Sequence, residues 1–278
     1  MESRKPFPLS TTLAQNPHTS FLDLPASSFD FPFFDEGVRQ YLNGGHDVTF
    51  RVLNSNLEYD SLLPVKGFIF HCSHCGSTLL ARMLNQKKNL RVVSEPEAIN
   101  GLLLSKILFD LPENEILPHL EFIINSFCQK LDFEDGVVFK LTSWNVFFIR
   151  FFQKLYPSVP FLFLKREPQQ VLSSLLKSEH GFQTWWDLPD QFLLKKFLPG
   201  LEFRDRQHFI SLMVEKHIEI GEDAMQHSGM IVDYQNLISD FEKITSFFDL
   251  TLSPEERKSG LEITKFNSKK YPEMEVWE

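Results

Sequence analysis

Basic charge is in short supply: 28 Lys and Arg stand against 37 Asp and Glu among 278 residues, a net charge of −9. A phosphate backbone needs a basic surface, so general nucleic-acid binding is not expected, although a local basic pocket is compatible with this balance. Cysteine is scarce too. Three residues (Cys72, Cys75 and Cys128) are too few, and odd in number, for a disulfide framework, and they point to a reducing compartment. The opening "MESRKPFPLSTTLAQ" lacks the apolar core of a signal peptide. No run reaches the ~18 apolar residues of a membrane span. The nearest, "VFFIRFFQKLYPSVPFLFL", is broken by Arg150, Lys154 and two prolines. These absences predict a soluble, cytoplasmic protein with no membrane span.

What the chain does have is apolar bulk. Hydrophobic residues make up 42 %, with 29 phenylalanines that point to aromatic core packing, and 278 residues are enough for one large domain or two small ones. There is no internal repeat and no low-complexity tract. Residues 1 to about 35 are rich in Pro, Ser, Thr and Phe and read as an extended arm; "DVTFRVL" (47–53) reads as a further extended piece, so the arm and extended segments cover 1–60. From residue 66 strands and helices alternate. "VKGFIFHC", "LRVVSE" (90–95), "GVVFKLT" (136–142), "VPFLFLKR" (159–166) and "GMIVDY" (229–234) are strand-like. Helical patterns lie between them: 77–86, "EAINGLLLSKIL", 116–131, "SWNVFFIRFFQKLY" and "PQQVLSSLLKS", the last with Pro168 in its first turn. A helical insert is expected at about 180–228, one long final helix over "NLISDFEKITSFFDL", and a polar tail over 251–278. The whole chain, 1–278, thus reads as a single domain with its core at 66–250.

Continuous apolar strands alternating with helices predict an α/β protein whose central parallel sheet is flanked by helices. Ligands bind such sheets beyond the carboxyl ends of the strands. That rule selects His74 to Thr78, Glu95, Lys140 to Ser143, Arg166 and Tyr234.

The first of these stretches, "HCSHCGSTLL", supports three readings. Cys72 and Cys75 form a CxxC that a thioredoxin-like dithiol would use, but the helical pattern begins only after Gly76. Two Cys and two His also suit zinc, although no second ligand pair stands at a suitable spacing and no metal is expected. The third reading is a phosphate loop: Gly76 permits a tight turn, the backbone N–H groups at the helix start face one point, and Ser77 and Thr78 add hydroxyls. A capping serine with nothing bound is the plain alternative. The loop is not a Walker A motif, which needs Gly at 71 and Lys at 77, where this chain has His71 and Ser77. An ordinary ATPase or kinase is therefore not expected. "FLFLKREPQQVLSSLL" repeats the strand-to-helix step, with Arg166 at the strand end and Ser174 eight positions on (166 to 174), a pair able to bracket a second phosphate.

Taken in order, these two motifs resemble those of the sulfotransferases that use 3′-phosphoadenosine-5′-phosphosulfate (PAPS), in particular the tyrosylprotein and bacterial branch. "HCGST" (74–78) lies over their 5′-phosphosulfate loop, Arg166 and Ser174 over their 3′-phosphate pair, and "VDYQNL" (232–237) over a later shared phrase. The resemblance covers roughly residues 66–270 and implies a three-layer P-loop fold. It implies PAPS as co-substrate, held by Cys75, Gly76, Ser77, Thr78, Arg166, Ser174 and Tyr234, with Ser268 or Lys269 closing over it. It implies Glu95 as general base, 21 positions after His74 (74 to 95), with Glu97 as the nearby rival, and His74 and Lys140 as stabilisers of the transferred group. His74 departs from the Lys or Arg usual there, and Cys75 stands for a small Ser. Transfer of a sulfonate to a hydroxyl or amine acceptor is the implied activity. "HGFQTWWDLPDQFLLKKFLPG" (180–200) is either an acceptor lid or a packed subdomain. Another P-loop phosphotransferase, or a non-catalytic nucleotide-binding protein, remains an alternative.

Overall fold

The computed structural model of the chain describes residues 3–46, 49–53, 57–131, 133–178 and 180–266. The start of the chain is paired rather than merely extended. Strands β1 (Lys5–Thr11), β2 (Thr19–Leu24) and β3 (Phe50–Leu53) form a small antiparallel sheet, and α1 (Phe34–Asn43) precedes the third strand. Phe7 and Phe34 face inward, whereas Phe50 of β3 is exposed: Phe7 stacks on Phe127 at 6.4 Å and Phe34 meets the same ring edge-on at 5.2 Å. The clustered phenylalanines of the arm are what bind it to the rest of the molecule.

The second sheet has five parallel strands: β4 (Val65–His71), β5 (Leu90–Ser94), β6 (Gly136–Lys140), β7 (Phe161–Lys165) and β8 (Met230–Asp233). Their spatial order is β5-β6-β4-β7-β8. The architecture is thus α/β, a five-stranded parallel sheet flanked by helices, as the alternating pattern predicts. Each central strand is buried along almost its whole length, which is why each reads as an unbroken apolar run. Phe68 of β4 stacks between Phe139 of β6 at 5.5 Å and Phe161 of β7 at 5.2 Å, so one aromatic row crosses three strands.

The connecting helices are α2 (Ser77–Leu84), α3 (Glu97–Phe109), α4 (Glu113–Phe127), α5 (Ile149–Leu155), α6 (Pro168–Leu175), α7 (Phe192–Phe197) and α8 (Arg206–Met225). From β4 the chain goes out to β5, returns to β6 beside β4, and then crosses to β7 on the other side. The carboxyl end of β4 therefore sits where connections diverge to left and right. Such a point leaves a crevice in an open parallel sheet.

The end of the chain differs from its reading. The long final helix expected over 236–250 is a short 3₁₀ turn (Tyr234–Asn236) followed by the seven-residue α9 (Phe241–Phe247). Leu237 is buried near Gly76 with helical backbone angles, and the interruption falls at Asp240 (φ −88°, ψ 1°), just before α9; Asp249, at φ 51°, follows its end. The tail contains a helix, α10 (Pro254–Glu262), that the polar composition concealed. Its start was nonetheless written in "SPEE": Ser253 accepts from the Glu256 N–H, Glu256 accepts from the Ser253 N–H, and Pro254 takes the first helical position.

Candidate active site

Beyond the carboxyl ends of the parallel strands lies a cavity of about 990 Å³. His74, Cys75, Gly76, Ser77, Thr78, Glu95, Arg166, Ser174 and Tyr234 all line it, so the fold brings nearly every predicted site residue to one place. Lys140 lies just behind the wall. Ser268 and Lys269 fall outside the described residues.

The turn after β4 is built from unusual backbone. Ser73 (φ 77°), His74 (φ 43°) and Gly76 (φ 87°) all have positive φ. Glycine is required at 76 for two reasons. The left-handed conformation strains other residues, and a Cβ there would lie 2.7 Å from the ring of Tyr234. His71 holds the start of the turn: the Ser73 N–H donates to its Nδ1 at 3.1 Å, and its Nε2–H donates to the Leu141 carbonyl at 2.9 Å. The first bond needs an unprotonated Nδ1 and so the neutral ring, and burial, with the Lys140 charge adding to it, drives the His71 pKa well below the usual value.

Gly76 is also the cap of α2, and no side chain caps this helix. Side chains cap only α8 (Asp205) and α10 (Ser253) among the described α-helices, so an uncapped start is shared by α2 with most of the others. The first N–H groups of α2 are left facing the cavity with the positive end of the helix dipole, an arrangement that suits an anion. Cys75 is buried, and its thiol donates to the Leu164 carbonyl at 3.3 Å.

The second motif closes onto the first. Arg166 Nη1 donates to the His74 carbonyl at 3.2 Å, and its guanidinium lies 4.5 Å from the centre of the Tyr234 ring. The Ser174 hydroxyl and His74 Nδ1 are hydrogen-bonded at 2.7 Å. Tyr234 is thereby held between Arg166 and Gly76.

On the opposite side, Glu95 is paired with Lys140, which is fully buried at the end of β6. The Glu95 N–H donates to the Lys140 carbonyl at 2.7 Å, so backbone as well as side chain ties the two. Glu95 takes a left-handed φ of 51° to reach this position. Lys140 Nζ also lies 3.5 Å from Thr78 Oγ1 and 4.9 Å from the Phe33 ring centre. The ammonium approaches Glu95 through Oε1, and Oε2 has no hydrogen-bond partner among the described residues.

Residues not anticipated complete the walls. Phe33 comes from the N-terminal arm, with no local signal to predict it. Trp144 stands beside the anticipated Thr142 and Ser143. Lys177, two positions beyond the end of α6, also lines the cavity. Of the two adjacent tryptophans, Trp185 lines the cavity and packs on Trp144 (5.9 Å) and Phe197 (4.9 Å), while Trp186 packs on Phe209 (6.2 Å). The segment thus both walls the cavity and packs the interior.

Among the described residues no group of three or more His, Cys, Asp or Glu is placed to hold a metal ion, and no helix is long and apolar enough to cross a membrane.

No family model matches the chain, and no curated protein matches it significantly. Solved structures do resemble it in part. The sulfotransferase domain from the curacin biosynthetic pathway is 15% identical, with 72% of this chain and 78% of that one covered and a TM-score of 0.44. A sulfotransferase from Alicyclobacillus acidocaldarius is 12% identical, with coverages of 71% and 90% and a TM-score of 0.42. Mouse sulfotransferase SULT7A1, solved with PAP, is 11% identical, with coverages of 74% and 65% and a TM-score of 0.39.

Proposed function

We propose that the protein transfers a sulfonate group from PAPS to a hydroxyl or amine acceptor. One observation carries this reading: an uncapped helix start, a guanidinium with a neighbouring serine, and a carboxylate paired with a buried ammonium all meet at a single cavity. The cavity's volume falls within the range that holds small-molecule ligands, about 300–1,000 Å³.

The α2 N–H groups, Ser77 and Thr78 bind the 5′-phosphosulfate end. Arg166 and Ser174 bind the 3′-phosphate, and Tyr234 flanks the nucleotide. Glu95 receives the acceptor's proton through Oε2, the oxygen that Lys140 leaves open. As that proton departs, the acceptor oxygen or nitrogen bonds to sulfur, and the bond from sulfur to the phosphate oxygen breaks. His74 and Lys140 stabilise the negative charge that moves onto the departing phosphate. Lys140 also fixes Glu95 and Thr78, so base and phosphate loop share one anchor. Phe33, Trp144, Phe182 and Trp185 supply an apolar wall for the body of the acceptor.

The test is thermal stabilisation by 3′,5′-adenosine bisphosphate compared with ATP and Mg²⁺. At 100 times its dissociation constant, a ligand adds about 2.7 kcal/mol. The bisphosphate is expected to raise the melting temperature and ATP with Mg²⁺ to leave it nearly unchanged. The reverse order would favour a phosphotransferase. Bisphosphate binding without sulfonate transfer to any of a broad panel of phenols, alcohols and amines would favour a non-catalytic binding protein.

A further inference from the structure

The two cysteines that bracket Ser73 and His74 have no part in the reaction above. They lie directly under it. All three cysteines of the chain are free and buried. Cys72 follows β4 and stays anchored to β7, its N–H donating to the Leu164 carbonyl at 3.2 Å. Cys75 borders the cavity, and its thiol reaches that same carbonyl from the other side. Cys72 N–H and the Cys75 thiol thus meet at one acceptor, which brings the two residues together, while the Cys72 thiol donates to the Ser73 carbonyl at 3.7 Å. Only Ser73 and His74 separate them, and both have the positive φ that folds the chain back on itself.

We propose that Cys72 and Cys75 form a peroxide-responsive dithiol, whose reversible disulfide disarms the phosphate cradle above it. The bond is inferred from the loop alone; its effect on nucleotide binding rests on the function proposed above.

The steps balance with hydrogen peroxide as oxidant. The Cys72 thiolate attacks one peroxide oxygen and the O–O bond breaks. Hydroxide leaves, and Cys72 becomes a sulfenic acid. Cys75 then attacks that sulfur, the S–S bond forms, and the sulfenic oxygen leaves as water. The two thiols lose two electrons and the peroxide is reduced to two waters. This order follows from the surroundings. At Cys72 the Cys75 thiol, with the Arg166 backbone N–H, favours the anion more than burial opposes it, so its pKa is lowered, whereas at Cys75 burial dominates and raises it. Cys128 is different: burial among apolar residues pushes its pKa up to about 12, so it stays an inert thiol.

The effect on the cradle follows from what is anchored. A covalent S–S bond, about 2 Å long, draws the two sulfurs inside van der Waals contact. Cys72 is held by the sheet, so Cys75 must move, and Gly76 moves with it. Gly76 has no slack, because Tyr234 fills the space its Cβ would need. The α2 N–H groups then lose their common aim.

Reduced protein is treated with a few equivalents of hydrogen peroxide, quenched with N-ethylmaleimide and mapped by mass spectrometry. The expected result is a 72–75 disulfide with Cys128 alkylated, reversed by dithiothreitol and absent in Cys72→Ser. In parallel, the dissociation constant for 3′,5′-adenosine bisphosphate is expected to rise at least tenfold on oxidation and to recover on reduction. Alkylation of all three cysteines, or sulfinic acids with no S–S bond, overturns the dithiol. A 72–75 bond that leaves affinity within twofold overturns its regulatory effect. If the reduced protein ignores the bisphosphate, the functional reading fails and the effect on binding fails with it, while the mass map still judges the bond.

Discussion

The Ser174 hydroxyl and the His74 imidazole are hydrogen-bonded at 2.7 Å, although a hundred positions separate them (74 to 174). This contact joins the turn after β4 to α6, and so joins the two motifs that the sequence presents separately. Arg166 adds a second tie through the His74 carbonyl. A ligand gripped by one motif is within reach of the other.

Ser174→Ala is expected to weaken 3′,5′-adenosine bisphosphate binding about tenfold, the loss of one hydrogen bond to a charged group. Arg166→Ala removes a charge as well as donors and should cost more, on the order of 10²-fold. Titration calorimetry on both variants, with 5′-AMP as a ligand lacking the 3′-phosphate, checks this. Both substitutions should matter little for 5′-AMP; an equal loss for the two nucleotides would contradict the assignment.

Glu95 and Lys140 should separate stability from turnover. Glu95→Gln keeps an oxygen for the Lys140 ammonium and is expected to fold, while turnover falls by about 10²–10⁴ as the base is lost. Glu95→Leu strands a fully buried ammonium, which costs about 3–5 kcal/mol when a buried pair is broken. Lys140→Met leaves a carboxylate that water can still reach. It should unfold less readily than Glu95→Leu yet lose about 10²-fold in rate. Urea unfolding and initial rates on the same preparations decide this; a Glu95→Gln enzyme with normal turnover would place the base elsewhere, with Glu97 the first candidate.

Gly76→Ala meets two obstacles, the left-handed backbone and the Tyr234 ring. The backbone alone is expected to cost about 1–2 kcal/mol. Adding Tyr234→Ala opens the space and should recover the steric part of the loss, but not the bisphosphate affinity, since the ring that lies between Gly76 and Arg166 is gone. Melting curves of the single and double variants measure the coupling.

Asp35, in the first turn of α1, has its pKa raised to about 6 from 3.8, by burial first and by the charges of Glu97 and Glu95, against which Arg39 acts. The folded state therefore prefers the protonated acid. Its contribution is fully present below pH 3.8 and is lost as pH rises through about 6. Asp35→Asn should accordingly melt higher than the parent protein at pH 7.5, by at most about 3 kcal/mol in unfolding free energy. The difference should vanish near pH 4. A constant difference across that range would show that ionisation of Asp35 is not its source.

Local chemistry made some of this legible. The strands β4, β6 and β7 were readable because strands buried on both faces must be apolar throughout. The Gly-Ser-Thr turn was readable because few other residues open a helix from a left-handed position. The "SPEE" cap of α10 used equally local rules but was obscured by the polar residues around it. Phe33 had no such signal. It reaches Lys140 because aromatic packing folds the N-terminal arm across the molecule, a consequence of long-range contacts that no short window contains.

By itself the sequence determined the alternation of strands and helices, the position of the phosphate-type turn, and the residues standing at strand ends, since each depends on neighbours a few positions apart. The tertiary structure decided that β4 sits between β6 and β7, and hence that Gly76, Arg166, Ser174 and Glu95 face one cavity. It also decided that Lys140 is buried against Glu95 and that Cys72 and Cys75 meet at the Leu164 carbonyl. The physical reason is the same in each case: strand order and side-chain pairing are set by how whole faces pack together, and that information is spread over the chain.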